Sequence, residues 1–276
     1  MGDTTTQPTE PPVLVTREGP VVRAVLNRPE RRNAMNTALL EALDELVTSL
    51  RDDRSARVLV LSGAGGNFCA GADLVELSSG TMTPEERLAL SQERNRRTAE
   101  RFMAISALPQ VVIAQIEGAA HAGGLGFVCC ADIALAAGNA RFAAPEARRG
   151  LVPAQILPWL VRRMGRAYAT RMVLQGAVID AREAERIGLV HQVAPDAEAL
   201  RALVDATVRD VLQNAPGALA ETKGLLAALG PLAPEGYADA GAAAFARCAS
   251  GPEAAEGIAA FREKRPARWA AVAAAG

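Results

Sequence analysis

The sequence predicts an α/β protein, because short apolar runs typical of buried strands alternate with segments of helical periodicity. Val21–Leu26, Val111–Ile116 and the run at 57–61 have the composition of strands. The segment after Asn36 instead carries its leucines at helical spacing, with acidic residues on the opposite face. A strand, a loop, a helix and a further strand in succession favour a parallel sheet covered by helices.

Residues at the ends of the predicted helices and strands indicate where these elements begin. Asn36 is a predicted N-cap, because its side chain can accept a hydrogen bond from the first turn of the helix that follows. Pro145 opens a turn or short helix. The predicted strands cover residues 13–16, 21–26, 57–61, 111–116, 132–136 and 140–143, with a short apolar piece at 189–193. The predicted helices follow Asn36, cover 84–108 and 125–133, and make up most of the chain from Ile156 onward.

The chain of 276 residues divides into three predicted parts. Residues 1–12 are polar and rich in Thr and Pro, which predicts a disordered tail and no signal peptide. Residues 13–200 form the predicted α/β core, and residues 201–276 are a predicted alanine-rich helical region. We expect a cytoplasmic protein.

The composition excludes several classes of partner. A formal net charge of −1 with dispersed basic residues gives no indication of nucleic acid or of a membrane surface. The chain has only two histidines, and its four cysteines have no metal-ligand spacing, so we expect no metal site. Adjacent Cys129 and Cys130 are predicted to be reduced core residues.

Two strands end in loops rich in small residues. The strand at 111–116 passes through 118–126 into an apolar helix, and the strand at 57–61 enters a similar loop at 62–74. Glycine at a helix start leaves backbone N–H groups bare, and the helix dipole makes that end electropositive. Two such loops converging on one oxygen would form an oxyanion hole. The alternative is that both are ordinary turns between a strand and a helix.

Taken in order, four segments resemble the enoyl-CoA hydratase/isomerase (crotonase) superfamily. Residues 27–36 resemble its first CoA-contact loop, 68–74 its first oxyanion loop, 118–132 its second, and 261–264 its C-terminal CoA contact. The resemblance implies a spiral of ββα turns with a helical C-terminal region. It also implies an acyl-CoA thioester substrate, with coenzyme A as part of that substrate and no separate cofactor. Assembly as a homotrimer or a dimer of trimers is implied as well, with 201–276 as the trimerisation region.

The resemblance also implies roles for individual residues. The backbone N–H groups of Ala72 and Gly123 correspond to the oxyanion donors, and Glu146 corresponds to a catalytic carboxylate. The residues that correspond to CoA and acyl contacts are Arg31, Ala34, Ala70, Asp73, Leu74, Phe261 and Lys264. Without the family, Glu146 reads as a helix-start glutamate stabilised by the dipole.

The sequence departs from the family at one catalytic position. Hydratases with two glutamates place the first one three residues after the oxyanion glycine, where this chain has Gly126. A single base, Glu146, suffices for a double-bond isomerase and leaves a harder task for a hydratase. We expect a hydratase in which Glu146 performs both proton transfers, and the alternatives are an isomerase and a non-catalytic CoA-ester-binding protein.

Three further side chains have open roles. His121 is either an auxiliary base or a hydrogen-bonded structural residue. The segment 148–158 resembles a branch of hydratases that act on glutaconyl-type CoA esters. Arg148 or Arg149 could meet the distal carboxylate of such a substrate, and surface or intersubunit salt bridges explain them equally well.

Overall fold

The structure is a computed structural model that describes residues 10–73, 76, 83–229 and 252–271. Within this part, six strands form a main sheet in the order β1-β2-β3-β4-β6-β9, and three form a small sheet in the order β5-β7-β8. The strands are β1 Val13–Glu18, β2 Val21–Leu26, β3 Val58–Gly63, β4 Val111–Ile116, β5 Ala119–His121, β6 Ile133–Ala137, β7 Arg141–Ala143, β8 Ile179–Asp180 and β9 Gln192–Ala194.

The helices of the described residues cover the main sheet and form the C-terminal region. They are α1 Thr37–Arg51, α2 Pro84–Ser106, α3 Gly123–Cys130, α4 Leu157–Gln175, α5 Ala181–Arg186, α6 Ala197–Leu212, α7 Pro216–Ala228, α8 Pro252–Glu263 and α9 Arg268–Ala271. Short 3₁₀ turns occupy Pro29–Arg31, Ala64–Gly66 and Glu146–Arg149.

The main sheet is parallel apart from its first hairpin. β1 and β2 pair antiparallel around a turn at Gly19, and β2, β3, β4, β6 and β9 then pair in parallel. β3 and β4, in the middle of the sheet, are almost entirely buried, as expected for strands with helices over them. The predicted α/β class and the crotonase-like spiral are confirmed.

Helix α1 illustrates how the sequence sets the packing. The Asn36 side chain accepts a hydrogen bond from the Leu39 N–H at 3.0 Å, which confirms the predicted cap. Leu39, Leu43 and Val47 recur at helical spacing and are buried in the larger core cluster. A second cluster lies on the other face of the sheet, under α6.

Most predicted elements lie within a few residues of the observed ones, and two short strands were not predicted. β5 falls in the segment 118–122, which reads as a turn from its small residues, and β8 has only two residues. Of the predicted tail, only 10–12 are described, and Asn27 donates its N–H to the Pro12 carbonyl at 2.8 Å. Among the described helices, none has the length and apolar character needed to cross a membrane.

The C-terminal helices pack against the rest of the same chain. Arg57, just before β3, donates hydrogen bonds to the carbonyls of Leu212 and Trp269, at 3.1 and 3.0 Å. The carboxylate of Glu253 accepts from the Gly217 N–H at 2.9 Å. These contacts join α8 and α9 to the ends of α6 and α7.

Candidate active site

The first predicted donor loop runs beside β5. The Cys69 N–H donates to the Ala119 carbonyl at 2.8 Å, and the Cys69 carbonyl accepts from the His121 N–H at 2.9 Å. Cys69 thereby pairs in parallel with Ala120. The loop after β3 therefore pairs along its backbone with β5, which lies at the start of the second predicted loop.

The two loops stay in contact at Gly71, where the regular pairing ends. Gly71 has a φ of +99°, and a Cβ on it would lie 3.0 Å from the Ala122 Cβ and 3.8 Å from the Gly123 nitrogen. Ala72 and Gly123 directly follow this contact, on two adjacent segments of the chain. The usual spacing of neighbouring strands puts such residues roughly 5 Å apart. From that separation, two N–H groups can both reach one oxygen at about 3 Å.

The Ala72 N–H is directed toward the second loop. On the opposite edge, the Met35 N–H donates to the Gly71 carbonyl at 2.8 Å, and the Met35 carbonyl accepts from the Asp73 N–H at 2.9 Å. Since backbone groups alternate between the two edges of an extended chain, the Ala72 N–H points away from Met35. In the described part of the chain, it donates to no acceptor.

Helix α3 brings the second N–H to the same place. Ala122 precedes the helix with φ 51° and ψ −121°, a conformation that an L-residue rarely adopts. It is held on both sides, because its N–H donates to the Ala143 carbonyl at 2.9 Å and its carbonyl accepts from the Gly126 N–H at 3.1 Å. Gly123 is the first helical residue, and its N–H has no acceptor among the described residues.

Buried polar contacts hold the first loop in place. Asn33 is fully buried; its side chain accepts from the Arg28 N–H at 2.9 Å and donates to the carbonyls of Ala64 and Asn67, at 2.9 and 2.6 Å. The Arg28 guanidinium donates to the Asp73 carboxylate at 3.0 and 3.1 Å. Asp73, predicted to contact the acyl-CoA, therefore also joins the first donor loop to the loop before α1.

A cavity of about 360 Å³ opens beside Ala72. Met35, Phe102 and Phe127 form part of its apolar wall, and Asp73 lies at its edge. Among the described residues, neither Gly123 nor Glu146 is part of the cavity lining. Met35 nevertheless connects the cavity to the second donor, because its methyl carbon lies 2.3 Å from where a Cβ on Gly123 would be.

Glu146 lies on the segment of the chain that runs beside the second loop. It begins the 3₁₀ turn after β7, and β7 pairs in parallel with β5 so that Ala143 lies opposite His121. Its carboxyl is half-buried, and Oε2 is buried with no hydrogen-bond partner in the described structure. Burial raises the pKa of Glu146, while its own backbone N–H and the charge of Arg149 oppose the rise. A carboxyl of this kind is suited to take up and return a proton.

The structure separates Arg148 from Arg149. Arg148 donates to the Gln175 carbonyl at 3.0 Å, at the end of α4, and so points away from the two loops. Residues three apart in a 3₁₀ turn share a face, so Arg149 lies on the face of Glu146. The positive charge of Arg149 lowers the pKa of both Glu146 and His121, although burial is the largest influence on each.

His121 is not a fully hydrogen-bonded structural residue. Its Nε2 is buried and has no partner in the part of the chain that the structure describes. Burial lowers the pKa of the imidazole, and the charges of Arg149 and Arg32 lower it further, which favours the neutral ring. The role of His121 as an auxiliary base remains a prediction.

The other predicted contact residues belong to several separate segments of the chain. Arg31 and Ala34 belong to the loop before α1, and the Ala70 N–H donates to the Arg32 carbonyl at 3.0 Å. Lys264 is exposed just after α8. Leu74 and the side chain of Phe261 lie outside the described residues.

The aromatic wall of the cavity is not evident from the sequence alone. Phe102 and Phe127 are 25 residues apart, on α2 and α3, and their rings meet edge to face with centroids 5.5 Å apart. Buried aromatic residues at helical spacing are typical of any core, so only the packing assigns these two to the site.

Comparisons with known proteins show the family of the chain. A family model described as "Enoyl-CoA hydratase/isomerase" matches residues 16–271. The Escherichia coli 2,3-dehydroadipyl-CoA hydratase is 32% identical over 254 residues, which are 92% of this chain and 96% of that protein.

Two solved structures match almost throughout. An enoyl-CoA hydratase/isomerase from Marinobacter aquaeolei has 38% identity and a TM-score of 0.87, covering 94% of this chain and 99% of that one. Pseudomonas aeruginosa AtuE has 40% identity and a TM-score of 0.88, with the same coverage of 94% and 99%. The chain therefore belongs to the enoyl-CoA hydratase/isomerase family.

Proposed function

We propose that this protein is an enoyl-CoA hydratase, which adds water reversibly to the double bond of a 2-enoyl-CoA thioester. The observation that carries the proposal is the pair of uncommitted N–H groups, of Ala72 and Gly123, on two loops in contact. A relative named as a hydratase that matches over nearly the whole chain supports the same reaction. Coenzyme A enters as part of the substrate, and no separate cofactor takes part.

The two N–H groups stabilise the charge that develops during the reaction. When oxygen adds to C3, the electrons of the double bond move onto the thioester carbonyl oxygen, which becomes an enolate. Donors held in place by the protein stabilise this oxygen more than the neutral carbonyl, and losing one typically costs about 3 kcal/mol, or roughly 100-fold in rate.

Glu146 moves the proton. Its carboxylate takes a proton from water while the water oxygen bonds to C3, and the enolate forms at the two donors. The protonated Glu146 then gives that proton to C2, which restores the carbonyl and the carboxylate. One carboxylate therefore both activates the water and completes the addition, consistent with its raised pKa and its uncommitted Oε2.

Crotonyl-CoA tests the proposal directly. The protein is expected to remove the absorbance of the conjugated enoyl thioester as the 3-hydroxyacyl-CoA forms. If the protein instead creates that absorbance from a 3-enoyl-CoA and leaves crotonyl-CoA unchanged, it is an isomerase. Binding of acyl-CoA without turnover of either ester would identify the non-catalytic alternative.

Burial raises the pKa of Glu146, and the charge of Arg149 is expected to shift the acid limb of the pH–rate profile against this effect. Glu146 must be ionised to accept a proton from water, so the hydration rate rises with pH through its pKa. Because Arg149 lowers that pKa, Arg149→Gln is expected to move the limb to higher pH. Arg148→Gln is the matched control, since Arg148 bonds to the Gln175 carbonyl instead. Equal shifts in the two variants would contradict this assignment.

We propose the remaining features from the family resemblance. Arg31, Ala34, Ala70, Asp73, Leu74, Phe261 and Lys264 contact the CoA or acyl portion of the substrate. The protein assembles as a homotrimer or a dimer of trimers through residues 201–276, and it is cytoplasmic. Light scattering coupled to gel filtration tests the assembly, and a monomer at assay concentration would contradict it.

A further inference from the structure

Position 126 has no room for a side chain. Gly126 lies in α3, three residues after Gly123, and a Cβ on it would lie 2.3 Å from Cζ of Phe102 and 2.9 Å from Cγ2 of Ile156. Real Cβ atoms do not approach other atoms this closely, so the phenyl ring fills the space that a side chain at 126 would need. A carboxylate at this position is excluded while Phe102 keeps its place.

The same ring forms part of the cavity wall. Phe102 is only 1% exposed; it packs edge to face on Phe127, and both rings line the cavity together with Ala72. Phe102 therefore touches Gly126 on one side and the cavity on the other. The absence of a side chain at Gly126 determines how far the ring can withdraw from the cavity.

We propose that Phe102, backed by Gly126, is a specificity-determining residue that sets the width of the acyl channel beside the oxyanion loops. The cavity then favours a slim, unbranched enoyl chain over one branched close to the double bond. This inference rests on the proposed hydratase function and specifies the acyl group that the site takes. A one-carbon difference in an apolar pocket changes relative rates by roughly 10- to 200-fold, so the preference is measurable.

Two opposite substitutions test the proposal. The readout is the ratio of kcat/KM for 4-methylpent-2-enoyl-CoA to that for pent-2-enoyl-CoA, measured within each variant, since these two esters differ only by the branching methyl group. Phe102→Leu removes part of the wall and is expected to raise the ratio about tenfold. Gly126→Ala pushes the ring into the cavity and is expected to lower the ratio. The double variant is expected to lie between the single variants.

The ratio separates a specificity role from a structural one. A substitution that only weakens the fold lowers both rates together and leaves their ratio unchanged. Ile105→Ala is the control on the same helix, because Ile105 is equally buried and lies outside the cavity lining. Its ratio should equal that of the wild type.

The possible outcomes distinguish a failure of the specificity proposal from a failure of the proposed hydratase function. If Phe102→Leu leaves the ratio within about twofold of the wild type while both esters are hydrated, the inference fails and the proposed function stands. If Gly126→Ala does not fold, the result for Phe102→Leu alone decides. If the wild type hydrates neither ester, the proposed function itself is wrong for these substrates.

Discussion

Glu146→Gln is expected to lower hydration of crotonyl-CoA about a thousandfold, within the range typical of lost acid–base catalysis. The amide has nearly the shape of the carboxyl and cannot accept a proton from water. Position 126, where hydratases with two glutamates place the other one, is glycine backed by the Phe102 ring and supplies no carboxylate. Steady-state kinetics measure the loss, and affinity for CoA should stay within a few-fold of the wild type.

The stability of this variant provides the control. A raised pKa means that the folded protein binds the proton of Glu146 more tightly than the unfolded chain does. The contribution of Glu146 to stability is therefore complete below its ordinary pKa and is lost as pH rises through the folded value. Glutamine stays neutral, so the variant should gain thermal stability over the wild type at pH 8 and lose that advantage at acid pH. An inactive variant that is less stable at pH 8 would indicate damage to the fold rather than loss of a catalytic group.

Gly124→Ala is expected to have the second largest effect, because it separates the two donor loops. A Cβ on Gly124 would lie 2.3 Å from the Cys69 carbonyl oxygen and 2.8 Å from the Cys69 Cβ. The backbone of one loop must move to relieve this contact, and Cys69 is three residues from the donor Ala72. We expect kcat/KM to fall about 100-fold, as for loss of one oxyanion donor, and unfolding free energy to fall by about 1–3 kcal/mol.

Gly224→Ala is the matched control for this substitution. Gly224 lies in helix α7, and a Cβ on it would meet no atom within 4 Å. Alanine in a helix interior is favoured over glycine by roughly 1 kcal/mol, so this variant should be slightly more stable and fully active. Full activity of Gly124→Ala would contradict the requirement for close contact between the loops.

The sequence predicts those parts of the site that depend on local backbone chemistry. Asn36 predicts the start of α1, and the glycine-rich segment predicts the exposed N-terminus of α3, because each signal acts within a few residues. The family motifs, taken in their order along the sequence, also assign Ala72, Gly123 and Glu146 to one site, and the structure places them on three neighbouring segments of the chain. Placement of these residues on the family pattern is what identifies Glu146, which otherwise resembles a common helix start.

The features that the sequence does not predict depend on contacts between distant segments. The pairing of β5 with the loop at Cys69 cannot be predicted from residues 118–122, because small residues of this kind are equally typical of a turn. Arg148 and Arg149 are adjacent and chemically identical, yet the short turn directs one to the Gln175 carbonyl and leaves the other on the face of Glu146. The Phe102–Gly126 contact joins two helices, and no local pattern reports it.

A crystal structure of the Glu146→Gln variant with bound crotonyl-CoA tests the central claim most directly. The thioester oxygen should lie about 3 Å from the backbone nitrogens of both Ala72 and Gly123. The side chain at 146 should lie within hydrogen-bond reach of a water at C3. A thioester oxygen bonded to neither nitrogen, or a side chain at 146 turned away from C2 and C3, would contradict the account.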